Sequence, residues 1–390
     1  MSHSEGISGR EQIFPPGFGL YIHVPFCISK CAYCAFSSIA GGARLMEPYI
    51  EAVRREIDAH ADMASGRMVD SLYLGGGTPS LLPPAAIAAL LHHCRSRFRF
   101  APGAEVTLEA NPETVTPDRV GAWLDAGVAR VSMGVQSLDE QELATLDRAH
   151  TARRAESAFK MIRAAGALNI SVDLLYGLPG QTVERWRETV HRALDLDAEH
   201  LSAYALTPEP GTPIGSAVAE GTMALPSDDL VLAQEAVLQE AVVQSGLERY
   251  EISNYAKPGF ECRHNVLYWR CDDWLGFGAS AHSHIQGQRW WNRFAPDDYM
   301  RGVAGGDPVD GRESLSVDQR LGETLAFGLR MVRGVPRQLF IDRFGQDAWT
   351  AKGPGLGHLV EDGLLAGTRD TIRLTRRGLA FADSAAALLI

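Results

Sequence analysis

Three of the six cysteines, Cys27, Cys31 and Cys34, fall within the eight-residue run CISKCAYC. Thiols this close cannot all pair with one another, so a disulfide framework accounts for them poorly. Three thiolates on one short loop can hold three irons of a [4Fe–4S] cube, leaving the fourth iron open for an exchangeable ligand. A zinc site short of its fourth ligand and free buried cysteines are the plainer alternatives. A second concentration, Gly75-Gly76-Gly77-Thr78-Pro79, lets backbone approach a ligand closely, with Pro79 fixing the exit; alone, it reads equally well as a tight turn. A third is Arg263-His264-Asn265-Val266-Leu267-Tyr268-Trp269, in which an imidazole could bind iron axially and aromatic rings could pack on a flat macrocycle. Its plain reading is a histidine bonded inside a turn among core aromatics. His282 and His284 are secondary candidates of the same kind, whereas Cys94, Cys262 and Cys271 read as structural. No CxxCH attachment sequence is present.

The elements that must position these residues alternate. Runs rich in β-branched or aromatic residues at 20–24, 69–74, 105–109, 130–135, 170–176 and 201–206 predict six strands. Helical patterns at 47–63, 84–98, 117–126, 155–166 and 182–194 lie between them, and a sixth helix follows at 228–245. Strand–helix alternation makes a parallel sheet, and glycine-rich or polar features after every strand are what the active face of a barrel looks like. The expectation is an α/β protein: a partial (β/α)6 barrel with a smaller, mostly helical, winged-helix-like C-terminal domain. The expected divisions are a tail at 1–17, a core barrel at 18–246, a connecting segment at 247–304 and the C-terminal domain at 305–390.

The chain has 390 residues, 45% of them hydrophobic and 22% charged, which excludes disorder throughout. Thirty-seven basic against 48 acidic residues give a net charge of −11, and no basic stripe appears, so a broad role on nucleic acid is not expected. No apolar run approaches the roughly 18–20 residues a membrane span requires. The polar opening segment lacks a secretory apolar core. The expectation is a cytoplasmic protein, with peripheral membrane contact left open.

Together, CxxxCxxC, GGGTP and the six βα units resemble the radical S-adenosylmethionine (SAM) superfamily. YIHVPFCISKCAYCAFSS, GGGTPS, LEANPETV, SMGVQS, VDLLYGLPGQT and LSAYALTPEPGT are similar to its HemN-like branch over at least residues 18–285. The resemblance implies a [4Fe–4S] cluster on Cys27, Cys31 and Cys34, with SAM chelating the open iron. It implies Tyr21 near that site, Tyr33 against the adenine, and Gly76, Gly77 and Thr78 at the SAM amino end. Glu109, Gln136, Arg148, Asp173 and Thr207 would surround SAM from successive strands.

Within the branch two readings compete. Oxygen-independent coproporphyrinogen III dehydrogenases decarboxylate propionates with the radical and carry a fourth cysteine two places after the triad, where this chain has Phe36. Heme chaperones of the HemW type keep the cluster site but bind heme for delivery to an acceptor apoprotein, with respiratory enzymes as candidates. The HNxxYW run at 264–269 is similar to their signature, which implies His264 as heme ligand. A HemN-like methyltransferase using a second SAM is a third reading, and HNxxYW counts against it. No catalytic residue is assigned, and the oligomeric state is left open.

Overall fold

The computed structural model describes residues 17–367 and 370–390. The expected tail therefore lies outside the described residues, apart from Gly17.

Six parallel strands form the centre: β1 (Phe18–Val24), β2 (Val69–Gly76), β3 (Phe100–Ala110), β4 (Arg130–Gln136), β5 (Ile170–Tyr176) and β6 (His200–Ala205). Each lies within a few residues of the expected run, and the fifth matches it end to end. The crossover helices are α1 (Ala43–His60), α2 (Pro84–Arg97), α3 (Pro117–Asp125), α4 (Ala152–Ala164) and α5 (Val183–Leu194), and α6 (Asp228–Ser245) follows β6. Side chains of Thr116, Thr151, Thr182 and Ser227 accept backbone N–H bonds at four helix starts. Such caps stabilise each start by about 1 kcal/mol and fix where the loop ends.

Period-two alternation divides each strand between two environments. Leu20, Ile22, Leu72, Leu74, Val106, Leu108, Val131, Met133, Val172 and Leu174 face the helices and are fully buried. Trp123 on α3 and Trp186 on α5 fill this layer, and Trp186 Nε1 donates to Gln234 O at 2.9 Å. The opposite, inner face is polar: Tyr21 and His23, Ser71 and Tyr73, Glu105, Thr107 and Glu109, Arg130 and Ser132, Ser171 and Asp173, His200 and Ser202. A closed barrel fills its lumen with branched apolar chains. This one reserves the lumen for polar contacts.

The sheet does not close on itself. Beyond β6 it continues through β8 (Asn254–Ala256) to β7 (Glu248–Arg249), both antiparallel. Beyond β1 it continues through β9 (Asp273–Phe277), parallel to β1, then β10 (His282–Ile285), β11 (Gln288–Asn292) and β12 (Val309–Ser314), giving twelve strands. The region expected only as a connecting segment thus extends the sheet at both edges. The physical reason is that β1 and β6 would otherwise expose unpaired backbone groups. Between the two edges the chain passes under the barrel through helix α7 (Arg263–Trp269).

The C-terminal region has its own apolar core, including Leu321, Leu325, Phe340, Leu356, Leu359, Ile372 and Leu389. Three helices, Val317–Gly328, Arg337–Phe344 and Ala348–Glu361, precede two antiparallel strands at Leu365–Gly367 and Thr371–Leu374. This is the expected helix-rich arrangement. The strand Val309–Ser314, however, pairs with the large sheet. Arg289–Glu323 and Arg343–Asp272 (2.6 Å) tie the two cores together. No helix among the described residues is long and apolar enough to cross a membrane.

Candidate functional site

Immediately after β1 the chain forms a loop held at its base by parallel pairing of Phe26–Cys27 with Ile39–Ala40. Ala32 N donates to Leu146 O at 3.1 Å, and Ile214 N donates to Ala32 O at 2.9 Å, so the loop is bound to the short helical segments that follow β4 and β6. Cys27, Cys31 and Cys34 are free thiols, each partly exposed on this loop. Burial holds the Cys27 and Cys34 thiols above their ordinary pKa. Bound iron would reverse that, because coordination deprotonates a thiol outright.

A hydrogen-bonded chain links the loop to three strands. Arg148 Nη1 donates to Cys31 Sγ at 3.3 Å, while its Nη2 donates to Asn111 Oδ1 at 2.8 Å and Gly134 O at 2.7 Å. Asn111 Nδ2 donates to Thr78 Oγ1 at 2.9 Å, and the Thr78 hydroxyl points at Cys27 Sγ, 3.6 Å away. The glycine turn is sterically required. A Cβ on Gly77 would lie 2.9 Å from the carbonyls of Val24 and Phe26 and 3.0 Å from Cys27 Sγ. Gly76 has φ +112°, and a Cβ there would meet the His23 ring at 2.5 Å.

Below this layer, Glu109 accepts from Tyr73 Oη at 2.8 Å and from Gly76 N at 3.0 Å. Burial first, with neighbouring Asp173 adding to it, pushes its pKa up to about 7. Asp173 accepts from Ser132 Oγ and Ser171 Oγ, each at 3.0 Å. Gln136 sits at φ +67° beside a register shift in β4, a left-handed conformation for a side-chain-bearing residue. That shift turns Gln136 toward Gly134, where a Cβ would crowd both Asn111 Oδ1 and Gln136 Nε2.

The donors fit the cluster and cofactor that the family implies. Three thiols share one loop, two carboxylates are positioned within the mouth, and the buried Nε of Arg148 has no partner among the described residues. No three metal-binding side chains converge as a single ion would need, among the described residues. A cube does not demand that convergence, since each thiolate holds a different iron.

Of the expected site residues, the structure brings Cys27, Cys31, Cys34, Gly76, Gly77, Thr78, Glu109, Gln136, Arg148 and Asp173 to this mouth. Tyr33 packs beside Ala32, Leu146, Leu175, Leu178 and Ile214. Thr207 follows β6 on the same side, with no side-chain bond to the others among the described residues. Tyr21 lies deeper in the lumen, bonded to His23 Nδ1 at 3.0 Å and packed against Tyr73 and His264, which stack on each other at 5.2 Å. Tyr73, Ser132 and Ser171 went unnoticed in the sequence, and Asn111 stood in the LEANPETV run without an assigned role. Their signal was the polar phase of each strand's alternation.

His264 does not fit the axial-ligand expectation in this structure. It is 1% exposed, with Nδ1 bonded to Ser71 Oγ and Nε2 to Tyr268 Oη, both at 2.9 Å, so neither nitrogen is open to iron. Burial lowers its pKa to about 3, which keeps the ring neutral. Across the lumen His200 repeats the arrangement, its Nδ1 bonded to Ser171 Oγ at 2.8 Å and its Nε2 to Tyr250 Oη at 2.9 Å. The HNxxYW helix is thus part of the barrel floor, at the end opposite the cysteines.

Residues 21–193 match the model of the radical SAM superfamily, and residues 315–381 match the HemN C-terminal domain. The chain is 37% identical to heme chaperone HemW of Mycobacterium tuberculosis, covering 96% of this chain and 95% of that protein. It is 35% identical to heme chaperone HemW of Escherichia coli, covering 95% and 97%. The solved structure of coproporphyrinogen III oxidase (HemN) from Escherichia coli superposes with a TM-score of 0.83 at 24% identity, over 96% of this chain and 90% of that one. That likeness speaks for the fold. The end-to-end identities, with a three-thiol mouth on a six-stranded parallel half-barrel, place this chain in the HemW family of radical SAM proteins.

Proposed function

We propose that this protein is a heme carrier, which binds heme and passes it to an acceptor apoprotein. In this reading it holds a [4Fe–4S] cluster on Cys27, Cys31 and Cys34, with exchangeable SAM on the open iron. The observation that carries it is end-to-end identity with relatives named heme chaperones. Phe36, 67% exposed, stands at the place where the resemblance puts a fourth cysteine in the oxidases.

When bound, the cluster and SAM supply one-electron chemistry. The chain's own residues do the holding. Gly76 and Gly77 let SAM lie against backbone, Glu109 and Asp173 offer carboxylate oxygens to a cationic sulfonium and ribose, and Gln136 and Thr207 add polar contacts. A cation beside Glu109 would draw its carboxyl back toward the ionised form. Arg148 sets positive charge beside Cys31 and fixes the loop to β3 and β4.

The test is anaerobic titration of cluster-reconstituted protein with hemin, alongside incubation with coproporphyrinogen III, SAM and reductant. The expected result is saturable binding at about one heme per chain, transfer to an added apo-hemoprotein, and no decarboxylated product. Product formation with deoxyadenosine release, and no saturable heme binding, would instead establish the coproporphyrinogen reading.

A further inference from the structure

HNxxYW lies away from the cysteine mouth, yet a column of packed side chains joins the two. The inner phases of β1 and β2 pair layer by layer: Gly19 with Ser71, Tyr21 with Tyr73, and His23 with Gly75. The lowest layer holds the His264 ring. Ser71 Oγ bonds its Nδ1 and Tyr268 Oη its Nε2, and Gly19 leaves the ring its room, since a Cβ there would lie 3.2 Å from Cε1. In the middle layer Tyr73 stacks on His264, with centroids 5.2 Å apart and planes 27° from parallel. Tyr21 flanks both rings at 6.3 Å. The top layer closes down on them: a Cβ on Gly75 would lie 2.9 Å from Tyr73 and 3.1 Å from Tyr21.

The column ends at the glycine turn. Tyr73 Oη donates to Glu109 at 2.8 Å, and Gly76 N, directly after the roof glycine, donates to the same carboxyl group at 3.0 Å. Gly75 stops the Tyr73 ring from rising, and His264 stops it from sinking. The phenol is thereby held at the one place from which it reaches Glu109.

We propose that His264 is a positioning residue for the SAM site: its ring supports Tyr73, and Tyr73 in turn holds the Glu109 carboxylate in place. This rests on the SAM-holding part of the proposed function and is independent of where heme binds. Without the imidazole, the phenol drops into the vacated floor and Glu109 keeps one donor, Gly76 N, in place of two. A buried carboxylate with fewer donors is harder to ionise, and an un-ionised Glu109 attracts a cation less.

The groups facing Glu109 are Tyr73 on β2, Tyr21 on β1, Arg130 on β4, Asp173 on β5 and Tyr268 on α7. The experiment follows the carboxyl stretch of Glu109 against pH by difference infrared spectroscopy of cluster-free protein, with Glu109→Gln identifying the band. Wild type is compared with Tyr73→Phe, His264→Ala, the double variant and His264→Phe, with circular dichroism as the control on folding. Wild type is expected to titrate at about pH 7. Tyr73→Phe and His264→Ala should each move the midpoint up by about one pH unit, and the double variant no further than Tyr73→Phe alone. His264→Phe keeps a ring beneath Tyr73 and loses both floor hydrogen bonds. It should unfold more readily than wild type yet titrate as wild type does, a separation that a purely structural role would not give. In cluster-reconstituted protein at pH 7, Tyr73→Phe and His264→Ala should bind SAM about fivefold more weakly, as the ionised share of Glu109 falls from about half to about a tenth. The amino group of SAM titrates alike in every variant and drops out of the comparison. An unmoved or lowered midpoint in folded His264→Ala, an equal shift in His264→Phe, or full addition in the double variant would overturn the positioning role and leave SAM binding standing. Absence of saturable SAM binding in reconstituted wild type would overturn the SAM-holding reading and the proposal with it.

Discussion

Asn111 offers the sharpest test of how the cysteine mouth is held. Its carboxamide accepts from Arg148 at 2.8 Å and donates to Thr78 at 2.9 Å, joining the residues that touch Cys31 and Cys27. Truncation in Asn111→Ala removes one hydrogen bond from a charged donor, worth about 1.5–3 kcal/mol, and one neutral bond worth about 0.5–1.5 kcal/mol. Arg148 keeps the Gly134 carbonyl and the Cys31 sulfur, so part of its charge remains satisfied. The expected loss is therefore about 2–4 kcal/mol in cluster-free protein, read as a lower urea midpoint for the barrel transition at unchanged slope. Reconstituted Asn111→Ala should also release iron faster than wild type when exposed to a chelator. A midpoint shift equivalent to less than about 0.5 kcal/mol, with unchanged iron release, would refute the argument that this network organises the loop.

Gly77→Ala should lower reconstituted iron content sharply, because two carbonyls and Cys27 Sγ crowd the new methyl; overpacking of this kind costs about 1–3 kcal/mol. Iron and sulfide analysis after reconstitution checks it, and near-wild-type loading would contradict the close approach. Glu109 has a folded pKa raised to about 7, so the fold favours its protonated form, and that contribution is lost as pH rises from the unfolded value near 4.5 through 7. With the pH-dependent part referenced to pH 4 or below, Glu109→Gln should gain on wild type as pH rises, by about 3 kcal/mol at pH 8, as measured by urea denaturation of SAM-free protein. A constant difference across that range would show that Glu109 is not shifted. His264→Ala leaves Ser71 Oγ and Tyr268 Oη without their shared partner in the barrel floor, and should cost about 2–4 kcal/mol. Its heme spectrum should remain that of wild type, and a selective loss of that spectrum in a folded protein would argue for iron at His264 after all.

Much of the mouth was legible because its chemistry is local. Cys27, Cys31 and Cys34 occupy one loop, Gly76 and Gly77 occupy one turn, and each of β1–β6 ends where its apolar alternation ends. A short loop and a strand end are set by spacing and by backbone sterics, both of which are written in adjacent residues. Glu109 could be placed at the mouth for the same reason, as a polar residue near a strand end, and Asp173 as a polar residue on the inner phase of β5. Their raised or hydrogen-bonded states could not be read, because Tyr73 and Ser132 come from neighbouring strands, and only Ser171, two residues before Asp173, is local.

The arrangement of the HNxxYW residues was decided only by the tertiary structure. In sequence, His264 with Tyr268 and Trp269 reads as well for a heme pocket as for a packed turn. What settles their geometry here is a long-range event: the chain leaves β8 at one edge, crosses beneath the lumen and pairs β9 with β1 at the other. That crossing puts His264 against Ser71, nearly two hundred positions earlier, and closes both of its nitrogens. Strand pairing between distant segments follows from satisfying exposed edges and burying one face of each strand, and no local pattern states which edges will meet. The sequence by itself therefore determined the thiol loop, the glycine turn and the strand–helix order, while the fold decided that His264 is sealed in the barrel floor.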